Sequence, residues 1–237
     1  MRSPQVIYLD AVGTVFGVRD SVGEQYAKVA IDFGVNLDEQ AINYAFYQSF
    51  QAAPRIAFPN LPQAEIPIAE YKWWRSLAEQ TFRQTGDFAK FANFDQFFNQ
   101  LYAYFATTEP WAIYQDVRIA LDAWKKQGIA LGVLSNFDSR IYKVIADLEL
   151  KSYFDSITIS TEVGAAKPQA TIFKTALAKH QLERSPDLAW HIGDSFGEDY
   201  EGATAVGITS FWLNRDRRPA KDLAQQTART IHLLTDL

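Results

Sequence analysis

The sequence predicts an α/β fold: a parallel sheet with helices on both faces and an inserted all-helical segment near its start. Three observations carry the expectation. From about residue 109 onward, helical patterns alternate with short apolar runs rich in β-branched and aromatic residues. One run of the same texture, QVIYLD (5–10), stands far upstream, and a lone strand is not stable by itself. Between the two, roughly 90 residues show only helical periodicity.

The elements follow in chain order. QVIYLD reads as a buried strand, and the glycine and threonine of AVGT mark a turn after it. SVGEQYAKVAIDFG opens with Ser21 and Glu24 at capping-box spacing and stops at Gly34. Asp38 caps a second helix, EQAINYAFYQSFQAA. A proline-rich loop (Pro54, Pro59, Pro62, Pro67) precedes the helices AEYKWWRSLAEQTFRQTG and FDQFFNQLYAYFA, and no strand is expected between 18 and 108. Four helix-to-strand steps come next. DVRIALDAWKKQG leads to IALGVLS, RIYKVIADLEL to SITIST, ATIFKTALAKHQL to LAWHIGD, and EDYEGATAVG to ITSFWLN. The charged stretch from about 216 is weakly patterned and receives no element. Crossovers are expected to be right-handed, with the ligand beyond the carboxyl ends of the strands. The expected organisation is therefore a core of residues 1–16 and 107–237 and a helical cap of residues 17–106.

Composition narrows the function classes. A net charge of −5 gives no basic footprint, so no nucleic-acid partner is expected. The chain has no cysteine, which excludes disulfides, thiolate nucleophiles and Cys-ligated zinc, and suits a reducing compartment. The apolar run near the N-terminus covers only Val6 to Leu9, too short for a signal peptide, and no run approaches the roughly 20 residues of a membrane span. A cytoplasmic protein without membrane contact is expected, with its oligomeric state, monomer or homodimer, left open.

Polar residues gather at the strand ends. Asp10 ends the first strand, Ser135 and Asn136 end IALGVL, Lys167 sits in GAAKPQA, and Asp194 ends LAWHIG, with Asp199 five residues on. Singly, each reads as a helix cap or a solvated turn residue. Together they place three carboxylates, a hydroxyl and a lysine at one edge of one sheet, a costly arrangement without function. Carboxylates facing an anionic substrate repel it unless a divalent cation intervenes, and a hard-oxygen site for Mg²⁺ that shares the metal with a phosphate meets that need. Lys167 supplies a fixed positive charge, Ser135 and the Asn136 amide can donate to phosphate oxygens, and Asp10 is free to attack phosphorus.

With these residues in place, the chain resembles the haloacid dehalogenase superfamily. The matching segments, YLDAVGTVF, VLSNFD, AAKPQATIF and HIGDSFGEDYEGA, occur in the family's order. The details SVGEQYA, FPN, YKWWRSLAEQTF and SNFDSRI look like the rhythmically-expressed-gene-two-like branch. The resemblance implies a Rossmann-like core with a helical cap and a Mg²⁺-dependent hydrolase acting on a small phosphorylated substrate. It implies Asp10 as nucleophile and metal ligand, the Val12 backbone carbonyl as a further ligand, and Thr14 and Ser135 as phosphoryl contacts. Lys167 then steadies nucleophile and substrate, Asp194 binds Mg²⁺, and Asp199 binds it or orients its shell.

Position 12 departs from the pattern of the family's phosphatases, where a second Asp protonates the leaving alkoxide and later activates water. Val12 can do neither, and such help is worth roughly 100- to 10,000-fold. A phosphatase here is expected to be weak on simple alkyl esters and better with leaving groups that depart unprotonated, such as acyl or aryl phosphates. Two alternatives stand beside it. One is a non-catalytic or regulatory protein that binds a phosphorylated metabolite. The other is C–X or C–P cleavage of the dehalogenase or phosphonatase kind. The family's dehalogenases work without metal, replace the residue at the Asp194 position and carry a Tyr where this chain has Phe173. Its phosphonatases keep Mg²⁺ but need a cap lysine, for which Lys28, Lys72 and Lys90 are the candidates.

The cap's many rings are expected to build its own core, with Arg55 or Arg75 as candidates for substrate contact. His191 reads as a core residue of its strand, and His180 and His232 as surface residues.

Overall fold

The first apolar run becomes the middle of the sheet. In the computed structural model, which describes residues 3–237, strand β1 (Val6–Leu9) is buried along its whole length. Side chains alternate across a strand, so Ile7 and Leu9 enter one core cluster while Val6 and Tyr8 enter the other. Both faces are covered, which is why the run shows no polar alternation.

The chain leaves β1 through β2 (Phe16–Val18) and four helices, α1 (Val22–Ile31), α2 (Glu39–Ala52), α3 (Ile66–Thr85) and α4 (Phe94–Tyr104). It returns through β3 (Trp111–Ile113). The alternating part then follows: α5 (Val117–Lys126), β4 (Ala130–Ser135), α6 (Ile141–Asp147), β5 (Ser156–Ile159), α7 (Ser160–Val163), α8 (Ala170–Lys179) and β6 (Ala189–Gly193). A π-helical turn at Phe196–Glu201 leads into α9 (Gly202–Ala205), β7 (Thr209–Leu213), α10 (Leu223–Thr227) and β8 (Thr230–Ile231). The sheet order is β5-β4-β1-β6-β7-β8, all pairs parallel. The chain therefore builds outward from β1 first on one side and then on the other. Ligands of doubly wound sheets settle at such a reversal, beyond the carboxyl ends of the strands.

Two features depart from the sequence reading. The first is a two-stranded antiparallel ribbon of β2 and β3, pairing Phe16 with Ile113 and Val18 with Trp111. It ties together the two points where the chain passes between sheet and helices. The second is β8 with α10, in the stretch that received no element. β8 adds a sixth strand beside β7, with Leu213 opposite Ile231.

The helices start where their caps predict. Ser21 accepts from the Glu24 amide at 3.1 Å and Asp38 from the Ala41 amide at 3.0 Å. Helices α1–α4 pack around a cluster of their own, centred on the fully buried Phe82. Tyr26, Phe91, Phe94 and Phe97 surround Phe82 with ring centroids 5.2–5.9 Å away. His191 is buried in β6, whereas His180 and His232 are half-buried rather than fully on the surface. Among the described residues, no helix is long and apolar enough to cross a membrane.

Candidate active site

Pairing β1 between β4 and β6 brings Asp10, Ser135 and Asp194 to one edge. The Asp10 amide donates to the Ile192 carbonyl at 3.0 Å, which continues the β1–β6 ladder by one residue. Asp10, Val12, Ser135, Asn136, Lys167, Asp194 and Asp199 all line one cavity of about 550 Å³ between the sheet edge and the helices.

Lys167 is the hub. Its buried ammonium donates to Asp10 Oδ1 at 2.6 Å, Asp199 Oδ1 at 2.6 Å and the Leu134 carbonyl at 3.0 Å. All three ammonium protons are thereby used. Asn136 grips the lysine backbone from both sides: its Oδ1 accepts from the Lys167 amide at 2.7 Å, and its Nδ2 donates to the Lys167 carbonyl at 3.1 Å. Burial alone disfavours a charged lysine, yet Asp10 and Asp199 raise its pKa above the ordinary value.

The carboxylates divide into two kinds. Asp199 is fully engaged: besides Lys167, His191 Nε2 donates to its Oδ1 at 2.9 Å and the Ser195 amide to its Oδ2 at 3.0 Å. Burial opposes its charge, but Lys167 and His191 hold its pKa well below normal. Gly193 makes the approach possible, because a Cβ there would lie 2.1 Å from Asp199 Cγ. Asp194 is different. Burial, with Asp10 and Asp199 beside it, raises its pKa from 3.8 to about 7. Gly13, at a φ of 91°, lies so close that a Cβ would sit 2.5 Å from Asp194 Cγ. Burial likewise raises the pKa of Asp10, opposed by Lys167 and by a hydrogen bond from Ser135.

This donor set fits a divalent cation. Asp10, Asp194 and Asp199 each offer an oxygen within 4.8 Å of the others. Three carboxylates against the one ammonium of Lys167 leave two negative charges unmatched, and hard oxygen donors of this type suit Mg²⁺.

The remaining expected site residues are placed as follows. Thr14 is fully buried and does not line the cavity; its Oγ1 has no partner and its carbonyl accepts from Arg215 Nη2 at 2.8 Å. Arg55 donates to Glu198 at 2.8 Å, and Glu198 lines the cavity and accepts from Asn136 Nδ2 at 2.8 Å. Arg75 is not brought to the cavity, because Glu79 and Asp95 hold it on the outer side of the helices. Phe173 is buried beneath the site, edge-on to His191 with ring centroids 5.7 Å apart.

Residues that sequence reasoning missed stand above the site. Arg140 lines the cavity, its guanidinium held by Asp138 through Nε at 2.8 Å and Nη2 at 2.7 Å. Trp74 Nε1 donates to the same Asp138 at 2.7 Å, and Glu70 accepts from the Ser139 amide at 2.9 Å. These contacts link α3 to the loop after β4. The segment SNFDSR carried the signal, since two charged residues follow a strand end there, but their partners lie about 65 positions upstream.

Comparisons with known proteins identify the family. A family model described as haloacid dehalogenase-like hydrolase matches residues 4–207. The chain is 34% identical over 204 residues to haloacid dehalogenase-like hydrolase domain-containing protein 3 of Bos taurus, covering 85% of this chain and 78% of that protein. It is 29% identical over 212 residues to the rhythmically expressed gene 2 protein of Drosophila melanogaster, covering 86% and 80%. Among solved structures, a dehalogenase with an intermediate complex superposes with a TM-score of 0.73 at 14% identity, covering 100% of this chain and 96% of that one. A HAD phosphatase from Thermococcus onnurineus gives 0.62 at 18%, covering 98% and 95%. The chain therefore belongs to the haloacid dehalogenase-like hydrolases.

Proposed function

We propose that the protein is a Mg²⁺-dependent phosphatase-type hydrolase that transfers the phosphoryl group of a small metabolite to Asp10. Residues 17–106 act as a cap over a core of 1–16 and 107–237. One observation carries the reading: a buried aspartate held through Oδ1 by Lys167, beside a second carboxyl group, Asp194, whose pKa burial and the neighbouring carboxylates raise to about 7. Asp10, Asp194, Asp199 and the Val12 carbonyl would hold the ion. When bound, Mg²⁺ neutralises the carboxylates and the phosphate oxygens that approach them.

The protein's own residues account for the rest. Lys167 fixes Asp10 and leaves Oδ2 to attack phosphorus. The phosphorus–oxygen bond to the leaving group breaks, and its electron pair departs on that oxygen. Water then attacks the phosphorus of the aspartyl-phosphate and releases phosphate with Asp10 restored. Ser135 and the Asn136 amide donate to the phosphoryl oxygens. Val12, on the cavity wall, has no proton to give, so slow turnover of simple alkyl esters is expected.

The wall of the cavity holds no lysine other than Lys167 among the described residues, which speaks against Schiff-base chemistry from the cap. The test is phosphate release from a panel of phosphate esters and acyl phosphates, with and without Mg²⁺, in wild type and Asp10→Asn. Release that needs both Mg²⁺ and Asp10 is expected. Metal-free chloride release from 2-chloropropionate would favour the dehalogenase reading, and substrate binding without turnover would favour a regulatory protein.

A further inference from the structure

The roof of the cavity is built from flat groups. Asn43, Phe46, Tyr47 and Phe50 fall at i, i+3, i+4 and i+7 of α2, one face of the helix, and all four line the cavity. Phe46 also packs into the helical core, but Tyr47 and Phe50 do not belong to that cluster and remain 49% and 43% exposed. Phe50 lies near-parallel to Trp74, at 28° with centroids 6.3 Å apart, and the Arg140 guanidinium continues the surface 5.2 Å from the Trp74 ring. Core packing accounts for Phe46 and the pinned Trp74. Phe50 stacks on Phe46 with centroids 5.8 Å apart and stands edge-on to Trp73 at 6.0 Å, yet it stays half in solvent on the wall of the cavity that holds Asp10.

We infer that the substrate is an aryl phosphate, with the phosphoryl group at Asp10 and the aromatic ring of the leaving group seated against Phe50, Trp74 and Arg140. The inference rests on the phosphatase reading and names its substrate class. Two independent features converge on it. A flat ring gains from aromatic and guanidinium faces what an alkyl chain does not. A phenolate is also a stable enough anion to depart without a proton, the one group that Val12 cannot supply. In the step itself, Asp10 forms a bond to phosphorus, the phosphorus–aryl oxygen bond breaks, and the phenolate keeps the electron pair and takes its proton from water after release.

Leaving-group acidity and ring recognition must be separated, and a matched pair of substrates does so. Phenyl phosphate is compared with a fluoroalkyl phosphate whose parent alcohol is about as acidic as phenol. The expected kcat/KM is higher for phenyl phosphate by about tenfold or more, the size of two ring contacts. In Phe50→Ala and in the volume-conserving Phe50→Leu, that ratio falls toward one, with thermal melts reporting that each variant is folded. Equal kcat/KM for the pair in wild type, or a ratio that both variants leave intact, overturns the aryl assignment while the phosphatase reading stands. Hydrolysis of neither substrate overturns both.

Discussion

Lys167 donates every ammonium proton inside the protein, to two carboxylates and a carbonyl, so it organises the site before any substrate arrives. Lys167→Met removes the ammonium that pairs with both carboxylates and leaves Asp10 and Asp199 buried without it. Breaking a buried pair of this kind costs about 3–5 kcal/mol. Urea unfolding of the metal-free variant should show a loss of that order, together with loss of phosphate release. At position 12 the expected change is a gain: Val12→Asp should raise turnover of alkyl phosphates by roughly 100- to 10,000-fold, and the same panel checks it. The residues of this scale that sequence disclosed are those whose meaning lies in a strand end. Asp10 and Asp194 each follow a strand end, Asp199 lies in the turn after β6, and Lys167 precedes α8, all in segments that composition and periodicity bring out. His191 and Glu198 draw their meaning from side chains on other elements, and no local pattern marks them; the charge of Arg140 is visible in SNFDSR, but its place on the cavity wall is not. Thr14 shows the converse: the motif position is visible, but only the fold shows its hydroxyl buried away from the cavity.

At the scale of elements, close approach decides what can be changed. The end of β6 runs against Asp199, and Gly193→Ala would press a methyl into its carboxylate at 2.1 Å. Asp199 must then move away from Lys167, His191 and the Ser195 amide. The expected cost is about 1–3 kcal/mol, read by urea unfolding, with a fall in kcat. By contrast, Arg55 is 57% exposed in its pair with Glu198, so Arg55→Ala should change stability by less than about 1 kcal/mol. The strands of the sheet were legible because each is an apolar run of four to six residues, except the last. The β2–β3 ribbon and β8 were not. Their strands hold two or three residues, below the length at which periodicity means anything, and they are fixed by pairing with distant partners rather than by local preference.

At the scale of the whole molecule, folding gathers more negative charge at one sheet edge than its own cations neutralise. The consequence is a linkage between pH, metal and stability. Because folding raises the Asp194 pKa from 3.8 to about 7, the native state binds this proton more tightly than the unfolded chain does. Its contribution is therefore greatest at low pH and is lost as pH rises from about 4 through about 7. Asp10 shifts in the same direction, and Asp199 in the opposite one at lower pH. A cation replaces that proton, so the rise in melting temperature on adding Mg²⁺ to EDTA-treated protein should be larger at pH 8 than at pH 5. A rise independent of pH would contradict the assignment of Asp194 as a ligand. The central claim is covalent transfer to Asp10, and acid quench during turnover of phenyl phosphate with Mg²⁺ tests it most directly, with mass spectrometry of the intact chain and of its peptides. The account predicts one added phosphoryl group on the peptide that contains Asp10, absent in Asp10→Asn. Phosphate release from a chain that carries no phosphoryl group, or carries it on another residue, would contradict it.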